Sequence, residues 1–105
     1  MKPTIRTTIG EYYADNNRYK GSGIYVIACY PCLGCLYVGM SYMVSQRIMQ
    51  HIADKDDIGS FLLTTFPDSC SFRLDIFKLY DVEYMRKCER KLIEALHPQY
   101  NTHHN

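Results

Sequence analysis

A chain of 105 residues, 47% hydrophobic and 22% charged, fits one globular domain and excludes a disordered tail. No apolar run reaches the roughly 18 residues of a membrane span, and a net charge of +1 excludes a domain that holds nucleic acid by bulk electrostatics alone. The opening MKPTIRTTIGEYYADNNRYK has no apolar core of a signal peptide, so a cytoplasmic location with no membrane partner is expected.

In chain order, residues 1–22 read as a polar N-terminal extension packing on the domain, with a short helix from about Ile9 to Tyr19. The domain proper is expected over 23–105. GIYVIAC alternates as a strand: Ile24, Val26 and Ala28 face one way, Tyr25, Ile27 and Cys29 the other. YPCLGC holds Pro31 and Gly34 and reads as a turn. CLYVGM is a second strand, with Leu36 and Val38 on one face and Tyr37 and Gly39 on the other. Two strands this close favour an antiparallel hairpin.

Met43 to about Ala53 has helical periodicity, Asp54 to Asp57 is a charged break, and Ile58 to Phe66 suits a short amphipathic helix. Ser71 to Tyr80 alternates as a third strand. Asp81 stands where an N-cap belongs, and a helix follows from Val82 to about Leu96, stopped by Pro98. The fold class is therefore α+β, a three-stranded antiparallel sheet flanked by helices.

Charged residues on or beside apolar helix faces carry the chemistry. At about 100° per residue, Cys88, Leu92, Ala95 and Leu96 fall within about 80° of Met85, and Glu89 falls at about 40°. A carboxylate in that stripe must be paired, metal-bound or at the mouth of a cleft, because burying it alone is costly. On the preceding helix, Val44, Ile48 and Ile52 make the apolar stripe, flanked by Arg47 and His51 four residues apart. Taken by themselves, Arg47 and His51 read as a solvated helix edge.

Two tyrosines on one strand face, an Arg–His pair and one glutamate suit metal-assisted phosphodiester hydrolysis. A carboxylate can hold a divalent cation. An arginine can neutralise charge on phosphoryl oxygens. A tyrosine or histidine can take a proton from water.

Five cysteines in a chain without a secretion signal suggest reduced thiols or metal ligands rather than disulfides. Cys29, Cys32 and Cys35 repeat the C-x-x-C spacing and could supply three ligands to a structural Zn²⁺. A fourth would come from Cys70, Cys88, His97, His103 or His104. The alternative is that the thiols are small buried hydrophobes.

The residues resemble the GIY-YIG endonuclease family. Gly23-Ile24-Tyr25 is similar to its first motif and Tyr37-Val38-Gly39 to its second. Arg47 follows that glycine by eight residues and His51 by twelve. Glu89 precedes R-K-L-I, like the family's glutamate ahead of a Leu-Ile pair, and Asn101 closes a P-x-x-N. Many members have Lys or Ser after the second motif; here Met40 stands there, with Ser41 next.

The resemblance implies a DNA endonuclease or nickase using one divalent ion, Mg²⁺ or Mn²⁺. By position, Glu89 would bind that ion and Arg47 the scissile phosphate. Tyr25 and Tyr37 would flank the attacking water, with Tyr25 favoured as base, and His51 would assist the proton transfer. Gly39, Ser41 and Asn101 would support substrate or structure. With only the catalytic module in hand, added DNA affinity is expected from a protein partner or a homodimer. The rival expectations are a nucleic-acid-binding module without turnover and a zinc-stabilised interaction module.

Overall fold

The computed structural model describes residues 2–101. Its strands are β1 (Ile5–Thr8), β2 (Gly23–Cys29), β3 (Gly34–Ser41) and β4 (Arg73–Lys78). Its helices are α1 (Ile9–Ala14), α2 (Val44–Asp54), α3 (Asp57–Thr64) and α4 (Val82–Leu96). The class is α+β, but the sheet has four strands rather than three, in the order β1-β4-β2-β3 and antiparallel throughout.

The additional strand, β1, comes from the expected N-terminal extension. IRTT is too short and polar to show a strand pattern. It is held by its ladder to β4 and by Arg6, whose guanidinium donates to Asp75 directly opposite at 3.0 and 3.3 Å. Asp75 is buried at 4% exposure, and its charge is answered by Arg6 together with Arg73, whose Nε lies 3.4 Å from Oδ2. Residues 5–8 thus join the sheet, and α1 follows directly, its first N–H donating to the Phe72 carbonyl.

Alternation in β2 and β4 divides the core. Tyr25, Ile27, Leu74 and Ile76 face α2 and α3, meeting Val44, Ile48, Ile58 and Leu62. Ile24, Val26, Val38 and Phe77 face α4, meeting Cys88 with Leu92, Ile93 and Leu96 at the margin. Within α4, Met85 and Cys88 are buried and Ala95 is exposed, so the packed face leans towards Ile93. The Asp81 side chain caps α4 by accepting from the Tyr84 N–H at 3.1 Å.

The hairpin departs from simple alternation. Ile27 pairs with Tyr37 and Ala28 with Cys35, so Leu36 is an extra residue in β3. This bulge puts Leu36 on the same side as Tyr37, not beside Val38 as strict alternation requires. Beyond α4, His97 turns the chain in a left-handed conformation (φ 49°). Residues 99–101 then run back along β3, where the N–H groups of Gln99 and Tyr100 donate to the Cys35 and Leu36 carbonyls.

Candidate active site

β2 and β3 set the two tyrosines. Tyr25 stands opposite Gly39 in the ladder, and Tyr37 lies two residues before that glycine on the same face. A Cβ at position 39 would stand 2.5 Å from the Tyr25 hydroxyl oxygen and 2.8 Å from the Tyr37 ring. Glycine there is what lets both phenols lie over β3. The rings stack with centroids 6.0 Å apart and planes 29° apart. Tyr25 is 1% exposed and Tyr37 half-buried.

Burial pushes the Tyr25 phenol well above its ordinary pKa, with further push from Tyr37 and from the charges of Glu89 and Asp56, against the pull of Arg47. Burial also raises Tyr37, eased by Arg47 and reinforced by Asp56 and Glu89. Both phenols therefore feel the Arg47 guanidinium and the Glu89 carboxylate.

α2 brings in Arg47 and His51. The helix starts after a turn in which the Ser41 hydroxyl accepts from the Met43 N–H at 3.0 Å. Arg47 is half-buried and, with Ser41, Tyr42, Met43, Gln46 and Gln50, lines a shallow groove of about 250 Å³. His51 differs from the solvated edge that periodicity suggests: it is 1% exposed. Its Nε2 lies 2.7 Å from the Tyr25 hydroxyl and its Nδ1 2.5 Å from Asp56 Oδ2. Tyr37 meets the imidazole edge-on at 4.7 Å. Burial lowers the His51 pKa, with Asp56 opposing and Arg47 adding to the effect, so the ring is neutral near pH 7.

Asp56 and Gly59 are the residues that sequence reasoning missed. The charged break between helices is a tight corner. Lys55 takes a left-handed conformation (φ 53°) and closes α2, while Asp56 caps α3, its Oδ1 accepting from the Gly59 N–H at 2.9 Å. A Cβ on Gly59 would fall 1.8 Å from the His51 carbonyl oxygen. Glycine alone lets α3 press onto the last turn of α2, and that contact presents Asp56 to His51. An Asp two residues before an apolar Ile58 was readable as a cap. Its second partner was not.

Glu89 is half-buried and, with Met40, Arg86, Arg90, Ile93 and Glu94, lines an open groove of about 420 Å³. The carboxylate on the apolar stripe thus sits at the side of a cleft. Asn101 is 4% exposed and bonds the backbone of Val38 twice, accepting from its N–H at 2.9 Å and donating to its carbonyl at 2.7 Å. It fixes the strand that carries Tyr37 and Gly39 and touches neither phenol in these bonds.

The cysteines are scattered by the hairpin. Cys29 packs on the α2 side, Cys35 is buried on the α4 side and Cys32 is exposed. Burial pushes the Cys35 thiol up to about 11. Among the described residues no three His, Cys, Asp or Glu side chains are gathered to hold a metal ion. His103 and His104 lie outside the described residues. Among the described residues no helix is long and apolar enough to cross a membrane.

No family model matches the chain, and neither a curated protein nor a solved structure does.

Proposed function

We propose that the chain is a GIY-YIG-type DNA endonuclease that hydrolyses one phosphodiester bond with the help of one divalent metal ion. The observation that carries the reading is the buried 2.7 Å bond between the Tyr25 hydroxyl and His51 Nε2, beside two charges that both phenols feel.

A phenol held well above its ordinary pKa is a poor base alone. Joined to a neutral imidazole, it becomes a conduit. As the water oxygen bonds to phosphorus, its proton passes to Tyr25 Oη and the Tyr25 proton passes to His51 Nε2. The P–O bond to the leaving strand breaks, and that oxygen takes a proton from solvent. Arg47 would neutralise charge on the phosphoryl oxygens. Tyr37 and Gly39 would shape the entry of the water.

Glu89 would hold the metal. A half-buried carboxylate in an open groove that Glu94 also lines, with no thiolate or imidazole in the described lining, suits Mg²⁺ or Mn²⁺, which prefer oxygen ligands, Mg²⁺ also retaining several waters. Bound there, the ion supplies Lewis-acid stabilisation of the phosphate. The grooves beside Arg47 and Glu89 offer Arg86, Arg90, Gln46 and Gln50 to a DNA backbone. A net charge of +1 makes that binding weak, to be supplemented by a protein partner or a second copy.

Nicking of a supercoiled plasmid with Mg²⁺ tests the reading. The wild-type chain converts plasmid to open circles, and Glu89→Gln loses roughly 10²–10³ in rate. An intact plasmid, or a Glu89→Gln variant that cuts as well as wild type, overturns it.

A further inference from the structure

We propose that Asp56 is a positioning residue of this site: its carboxylate holds the His51 proton on Nδ1 and so keeps Nε2 open to the Tyr25 hydroxyl. The inference rests on the proton path above, but its geometry stands apart from any activity. An ionised carboxylate only accepts hydrogen bonds. With Asp56 Oδ2 at 2.5 Å from Nδ1, that nitrogen must carry the hydrogen. A neutral imidazole has one N–H, so Nε2 at 2.7 Å from Tyr25 is the acceptor, and the phenol donates to it. When Nε2 takes the phenolic proton, the imidazolium forms against the Asp56 carboxylate.

The corner is built for this. Asp56 uses its two oxygens separately, Oδ1 on the Gly59 N–H and Oδ2 on His51. The cap therefore fixes the carboxylate that orients the ring. Tyr25, Tyr37, Arg47, Asp54 and Asp56 are the ionisable or charged groups that bear on the imidazole.

Asp56→Asn separates capping from orientation, because asparagine is an equally good N-cap. With its oxygen on Gly59, its NH₂ faces His51, and the ring must move its hydrogen to Nε2. Ring nitrogen resonances of ¹⁵N-histidine in the full chain near pH 7.5 read this directly. Wild-type His51 shows a protonated Nδ1 and a bare Nε2; Asp56→Asn reverses them. Asp56→Ser, which also keeps a capping oxygen but is too short to bridge to the ring, removes the preference for Nδ1–H. It serves if the asparagine variant does not fold.

A wild-type ring protonated on Nε2, or a variant ring still protonated on Nδ1, overturns the proposal. In plasmid nicking, Asp56→Asn should lower kcat roughly 10²-fold or more with KM little changed. A wild type that does not nick sinks the nuclease reading while the resonances still decide the role of Asp56.

Discussion

The hairpin turn from Cys29 to Cys35 and the corner from His51 to Gly59 are similar in length and equally rich in reactive side chains, and they end differently. In the hairpin, three thiols at regular spacing go to three environments: one side of the sheet, the other side and solvent. In the corner, an imidazole and a carboxylate five residues apart meet at 2.5 Å. The difference lies in the backbone. A bulge at Leu36 shifts which face each residue of β3 takes, whereas a left-handed Lys55 and a bare Gly59 fold two helices onto each other. Regular spacing brings groups together only when the chain between them is bent tightly enough.

The severest way to break the corner is Gly59→Ala. Its methyl would overlap a backbone carbonyl that cannot turn aside, so a loss of about 3 kcal/mol or more is expected in thermal unfolding. A variant as stable as wild type would mean that α3 can back away from α2. On the hairpin side, Asn101→Ala leaves the Val38 N–H and carbonyl without their partner and should cost about 1–3 kcal/mol. The denaturant midpoint falls while the slope stays constant.

A gentler probe of the corner is acid. His51 is held neutral in the folded chain, so the unfolded chain binds the proton more readily. The His51 contribution to stability is complete above the ordinary histidine pKa of 6.5 and declines as pH falls below it. The slope is at most about 1.4 kcal/mol per pH unit. His51→Gln should flatten the pH profile of unfolding in that window; an unchanged slope would contradict the burial of a neutral ring. Cys32→Ser is the mildest change. An exposed thiol outside any ligand set gathered among the described residues should matter by less than about 0.5 kcal/mol, with or without added zinc. A loss of several kcal/mol would mark that thiol as a ligand.

Much of the frame was legible because periodicity reports burial. Alternation finds β2, β3 and β4, and the Asp81 cap with its apolar stripe finds α4. β1 was hidden, since four residues with two threonines and an arginine show no apolar alternation. The burial of His51 was hidden for another reason. Helical periodicity places it at the rim of the α2 stripe, and that rim is covered by groups distant in sequence or beyond a tight corner: Tyr25, Tyr37 and the start of α3. Gly39 was found through the resemblance, and its physical reason, the space taken by two phenols, appears only once β2 and β3 are paired in register.

The return of residues 99–101 along β3 has a consequence for assembly. β3 is an outer strand, and outer strands offer their free backbone groups to other chains. Here Gln99, Tyr100 and the Asn101 amide already occupy the outward groups of Cys35, Leu36 and Val38. The amide of one side chain imitates a peptide unit and stoppers the edge. The opposite border, β1, is only four residues long. A second copy that paired along Cys35–Val38 would first have to strip that stopper away.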